Sequence, residues 1–159
     1  MLIMSKNNYL KSKGYTLTEM LVVISVLIIL VMINLPLFKQ YQPTLKLKGE
    51  AKNLGSDMRY AQQLTLSEQK THLTRFYPAE AKYEIIKILN ENEENESEEV
   101  IKEVFLQSPV IFESITFTDN EVSFNTAGGS SEAGEAILTN NEKTITVEVK
   151  PSGYIKITE

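Results

Sequence analysis

The chain has 159 residues, no cysteine, one histidine and a formal net charge of −5. That length allows one modest domain beyond any membrane segment. Lack of cysteine excludes disulfides, thiolate metal sites and cysteine nucleophiles, and the acidic balance argues against strong phosphate-mediated DNA binding.

The chain opens on a basic stub carrying Lys6, Lys11 and Lys13, followed by Gly14 and Tyr15-Thr16-Leu17-Thr18-Glu19. An apolar run then extends from Met20 to Phe38, broken only by Ser25, Asn34 and Pro36. At ~1.5 Å per residue, a helix from Leu17 to Phe38 spans about 33 Å, enough to cross a hydrocarbon core. Glu19 stands at the mouth of that span. A charged group at bilayer depth costs at least ~2.5 kcal/mol, which makes Glu19 a candidate functional residue. A secretory signal peptide would have a shorter apolar stretch and a small-residue cleavage site, whereas this run ends Asn34-Leu35-Pro36-Leu37-Phe38. A plain anchor would leave Glu19 at headgroup level with no special role.

The segment Lys13-Gly14-Tyr15-Thr16-Leu17-Thr18-Glu19-Met20-Leu21 resembles the class III signal of type IV pilins and pseudopilins. The resemblance implies that a prepilin peptidase cuts between Gly14 and Tyr15 and that the new Tyr15 terminus is N-methylated. Tyr15 replaces the family's usual Phe, and Thr18 a usual aliphatic residue. Pro36 matches a proline that many pilins carry as a helix kink. Glu19, four residues after Tyr15, shares a helix face with the new terminus. A poorly solvated carboxylate and amine gain most by pairing. In the family the glutamate pairs with a neighbouring subunit and sets register during assembly. Cleavage removes three lysines and takes the formal charge from −5 to −8. Positive-inside counting leaves the orientation open, because Lys39, Lys46, Lys48 and Lys52 flank the other end. The processing motif implies a cytoplasmic N-terminus, with the rest outside the cell membrane.

Beyond the span, Leu47, Ala51, Leu54, Met58, Ala61 and Thr65 recur at spacings of four and three, with Leu64 widening the stripe. This predicts an amphipathic continuation of the helix to about Lys70, bent near Pro36 and Pro43. From His72 the period becomes two. Strands are predicted at 72–77, 82–89, 100–106, 110–117, 122–124, 136–139, 144–149 and 154–157, with a turn at Pro151-Ser152-Gly153. The expected fold class is α+β: a long N-terminal helix packed on a mostly antiparallel β domain, pilin-like. The expected segments are a leader at 1–14, a transmembrane assembly helix at 15–38, an amphipathic stalk at 39–70 and a globular β domain at 71–159.

Phe124, the Gly-rich stretch after it, Ile145–Val149, Gly153 and the closing Tyr154-Ile155-Lys156-Ile157 resemble the H/FimT-like minor pseudopilin group. Within it, the pattern is most similar to the ComGD-type minor pilins of Gram-positive competence machinery. The resemblance implies a structural subunit of a pilus that supports DNA uptake, with prepilin peptidase, sibling major and minor pilins, a membrane platform protein and an assembly ATPase as partners. A type II secretion pseudopilin is the alternative within the superfamily, and a tethered extracellular binding domain the alternative outside it.

Little in the β region suggests chemistry. His72 has no ligand partner at metal-site spacing, so a surface or strand histidine is expected. Gly128-Gly129-Ser130-Ser131 lacks the spacing of a nucleophile elbow and the Lys of a phosphate loop, and reads as a flexible loop. The run from Asn90 to Glu99 has no glycine for a calcium loop and reads as a solvated hairpin connection. Phe76, Tyr77 and Tyr83 read as core aromatics. No catalytic set, metal site or cofactor is expected.

Overall fold

The computed structural model describes residues 14–89 and 97–159, apart from the side chains of residues 36 and 37. Packing divides the chain into two units, Met1–Gln40 and Tyr41–Glu159. One helix, α1, runs Leu17–Glu68 and contributes to both.

In the first unit the window Leu17–Leu35 is long and apolar enough to cross a membrane. Every large apolar side chain in it is at least half exposed. A continuous apolar surface of this kind needs lipid or other helices around it. Beyond Glu19, Ser25 and Asn34 each bond back onto the helix. Ser25 Oγ donates to the Leu21 carbonyl at 2.8 Å, and Asn34 Nδ2 to the Leu30 carbonyl at 2.6 Å. Each thereby meets a side-chain donor within the helix itself. Pro36 lies within α1; its side chain, and with it the kink expected there, falls outside the described residues.

The second unit is the α1 segment from Tyr41 to Glu68 packed on two four-stranded antiparallel sheets. The strands are β1 (His72–Tyr77), β2 (Lys82–Ile88), β3 (Glu98–Phe105), β4 (Ile111–Ile115), β5 (Glu121–Phe124), β6 (Gly134–Thr139), β7 (Thr144–Val149) and β8 (Ile155–Thr158). The orders are β3-β2-β1-β5 and β4-β6-β7-β8. The stripe Leu47, Ala51, Leu54, Met58, Ala61 and Thr65 is fully buried. It meets Phe76, Tyr83 and Ile85 from one sheet and Phe112, Leu138, Val147 and Ile155 from the other in a single core. Phe76 joins the two sheets, edge-on to Phe112 at 5.6 Å and stacked on Phe117 at 5.7 Å. Leu54→Ala should cost the head about 2–5 kcal/mol, since a fully buried leucine leaves a cavity. A lowered unfolding midpoint of the β domain checks this.

Thr65, in the last turn of α1, ties the helix to β1. Its hydroxyl donates to the Ala61 carbonyl at 3.1 Å and accepts the His72 amide at 3.1 Å. The chain leaves α1 through Gln69 at φ 55 and enters β1 three residues later. The expected hairpin of β1 with β2 forms, in the register Phe76↔Tyr83. β5 then returns to the far side of β1, pairing Thr74 with Val122.

Candidate functional site

Residues 14–16 precede α1 and are not helical. Gly14 and Tyr15 are exposed, and a Cβ built on Gly14 would meet nothing within 4 Å. The Gly14–Tyr15 bond thus lies in exposed, non-helical chain immediately ahead of the helix.

Thr16 and Glu19 bond reciprocally. The Glu19 amide donates to Thr16 Oγ1 at 3.2 Å, while the Glu19 carboxylate accepts the Thr16 amide at 2.9 Å and its hydroxyl at 3.1 Å. This is a capping box, in which side chains three residues apart satisfy amides left orphaned at a helix start. The carboxylate also lies where the helix dipole favours negative charge. Tyr15, Thr18, Glu19, Val22 and Val23 line one shallow depression, so Glu19 and Tyr15 share a face as their spacing implies. Tyr15 N belongs to a peptide bond in the uncut chain, and the carboxylate has Thr16 as its partner. The Thr-x-x-Glu spacing carries the signal for this box in the sequence, beside the amine partner that the resemblance implies for Glu19.

The head contains a second polar feature that the sequence did not reveal. Asp57 is buried on α1, where Lys102 Nζ donates to its two oxygens at 2.7 and 2.8 Å and the Tyr83 hydroxyl donates at 2.8 Å. Burial first, and the Asp57 carboxylate second, push the Tyr83 phenol well above its usual range. Glu50, also on α1, is buried. Its carboxyl is pushed above the ordinary 4.5 by loss of solvent, against the opposing Gln107 amide bond. The folded chain therefore holds this proton more tightly than the unfolded chain. The Glu50 contribution to stability falls as pH rises through 4.5 and above. Glu68 and Glu98 are lowered, chiefly by bonds to Lys87 and Arg75, and lose their contribution as pH falls. Glu50→Gln should raise the unfolding midpoint at neutral pH and leave it nearly unchanged in acid. Denaturant melts at both pH values check the sign.

His72 is in a strand but fully buried, not on the surface, because it packs at the α1–β1 junction under Thr65. Its Nδ1 sits 3.0 Å from the Lys70 carbonyl. Phe76 and Tyr83 are core, while Tyr77 faces outward and donates to Glu84 at 3.0 Å. The Gly-rich loop is tied down rather than loose. Asn125 Oδ1 accepts the Ala127 and Gly129 amides, and Ser130 Oγ donates to the Glu132 and Lys150 carbonyls. Gln62 Nε2 on α1 donates to the Gly128 and Gly153 carbonyls at 2.5 and 3.2 Å. Most of the acidic run lies outside the described residues, and its end, Glu98 and Glu99, belongs to β3. Among the described residues no group of three or more acids or histidines could hold a metal.

Residues 9–33 match the family described as the prokaryotic N-terminal methylation motif. No curated protein matches the chain. The fold is similar to the crystal structure of the type IV minor pilin FimU of Pseudomonas aeruginosa, with TM-score 0.58 at 12% identity over 75% of this chain and 92% of that one. It is also similar to the minor pseudopilin EpsH from the type 2 secretion system of Vibrio cholerae, with TM-score 0.55 at 8% identity over 71% and 96%. The chain therefore has a pilin-like fold: a long N-terminal apolar helix whose later part packs on antiparallel sheets.

Proposed function

We propose that this chain is a minor pilin or pseudopilin, a structural subunit of a short membrane-anchored filament. The observation that carries the reading is the methylation motif at residues 9–33 on a chain of pilin-like fold. The α1 segment Leu17–Leu35 anchors the precursor in the cell membrane, and the β domain lies outside. A prepilin peptidase cuts at the exposed Gly14–Tyr15 bond, and Tyr15 is methylated. Sibling pilins then surround the apolar helix, driven through a platform protein and an assembly ATPase.

The capping box explains how the acid is tolerated before assembly. In the precursor the Glu19 carboxylate is held by Thr16. Cleavage turns the Tyr15 nitrogen into an amine next to that group, and a neighbouring terminus can then compete for it. Glu19→Gln should keep the chain in the membrane but cut its recovery in sheared filaments by about tenfold, the worth of one charge-assisted bond at ~1.5 kcal/mol. Equal recovery of mutant and wild type would remove Glu19 from assembly.

The finer assignment is a ComGD-type subunit of a competence pilus that supports DNA uptake, supported by the closing strand pattern from Ile145 to Ile157. The likeness to EpsH favours a secretion pseudopilin as the second reading. Mass spectrometry of the protein from its host tests the common core: the mature chain should start at methylated Tyr15. Deletion should abolish transformation and spare protein secretion; loss of secretion alone would select the second reading.

A further inference from the structure

Tyr41, Leu45, Lys48 and Lys52 are spaced by four, three and four on α1, so they form one stripe along its first turns in the head. Tyr41, Leu45 and Lys52 are exposed and Lys48 is half-exposed. Along the chain the stripe passes from aromatic and aliphatic to cationic, starting three residues after the apolar run ends at Phe38. A membrane surface offers its groups in that order. Tyrosine and aliphatic side chains suit the boundary with hydrocarbon, and lysines reach the phosphate layer.

A depression lies beside the stripe. Thr44, Lys48, Lys143, Thr144 and Glu159 line it, together with buried Leu47 and Ile145. Lys48 Nζ bonds Glu159 at 2.6 Å. That bond first, and the charges of Lys48, Lys52 and Lys143 with it, hold the Glu159 carboxyl below its usual range. Three ammonium groups therefore act on one carboxylate, in a chain whose net charge is −5. Glu142 is exposed on the β6–β7 turn beside Lys143; it does not line the depression, and the local balance stays positive. Two threonine hydroxyls and surplus ammonium groups are donors suited to a phosphate, and Glu159 fills the anion's role within the chain.

We propose that this basic corner binds the phosphate headgroups of anionic phospholipids in the membrane that anchors α1, and so holds the head on the membrane before assembly. The lipid surface is the occupant for two reasons. Its charge complements the surplus lysines. Tyr41 also follows the apolar run by three residues, at most about 11 Å of chain, which keeps headgroups at high local concentration. Each lysine near an anionic surface strengthens the contact about fivefold. The inference rests on the membrane-anchor reading of Leu17–Leu35 given above. Sibling pilins that surround α1 on assembly replace the lipid along the stripe.

The chain has no cysteine, so Thr158→Cys, exposed at the end of β8, takes a single fluorescent label. The labelled full-length chain is reconstituted in phosphatidylcholine vesicles with or without phosphatidylglycerol, and quenching by a lipid with a nitroxide headgroup is read. Quenching should be at least about twofold stronger with phosphatidylglycerol, and Lys48→Gln with Lys143→Gln should remove the difference. Glu159→Gln should enlarge it by removing the competing carboxylate, which a folding defect would not do. Equal quenching in the two lipids, an unchanged double variant, or a smaller difference in Glu159→Gln would overturn the proposal. Inorganic phosphate should weaken the quenching only as far as sodium chloride of equal ionic strength does. A stronger effect would make free phosphate the ligand and overturn the lipid assignment. A chain that floats with the vesicles but shows no lipid difference overturns this inference alone; a chain that does not float with them overturns the anchor reading as well.

Discussion

Gly14→Ala should leave the chain uncut, with its N-terminal segment attached and no methylated Tyr15. The peptidase must bring the Gly14–Tyr15 carbonyl to its catalytic groups within a fraction of an ångström. A misplacement of about 1 Å is worth about a hundredfold in rate. The substitution costs the chain itself nothing, because a Cβ at Gly14 meets no atom within 4 Å. Gly14 and the head also belong to different packing units. The head of the mutant should therefore unfold at the wild-type temperature while processing is lost. Mass spectrometry of the membrane fraction reads the first effect and thermal unfolding the second. A mutant chain that still starts at Tyr15 would mean that the glycine does not mark the cleavage site.

Gly153→Ala should do the reverse, sparing processing and damaging the fold. Gly153 has φ +76, in the left-handed region, and a Cβ there would lie 1.9 Å from the Gly128 carbonyl oxygen and 2.3 Å from Gln62 Nε2. The chain needs that conformation to turn from β7 into β8. The Gly153 amide bonds the Lys150 carbonyl at 2.7 Å and the Lys150 amide the Tyr154 carbonyl at 3.0 Å, a tight turn followed by a left-handed residue. The neighbour is backbone and cannot swing aside. Strain and overpacking together should cost about 2–4 kcal/mol. Denaturant unfolding of the head measures this, and a change below about 0.5 kcal/mol would mean that the two loops are not in contact there.

Much of this architecture was written locally. Heptad-like spacing from Leu47 to Thr65 fixes a buried helical face whatever it packs on. Alternation placed β1, β2 and β7 with ends within a residue of those observed. Gly14, Glu19 and the apolar run are contiguous in the chain, so the candidate processing site could be read without a fold. The Thr16–Glu19 capping box was equally local and was legible as Thr-x-x-Glu.

Other features depend on residues distant in sequence. Asp57 and Glu50 look like solvent-facing acids on an amphipathic helix; only the arrival of Tyr83, Lys102 and the Gln107 amide gives them buried partners. His72 is buried because β1 starts directly beneath the end of α1, where Thr65 meets its amide. The return of β5 to the outer side of β1, and the division into two sheets, follow from packing both inner faces on one helical stripe. Sequence by itself determined the apolar span, the Gly14–Tyr15 junction proposed for cleavage and the amphipathic stalk, since each rests on periodicity or spacing within a few turns. Tertiary structure alone decided which charges are buried, because that depends on strands brought to α1 from 26 and 45 positions away.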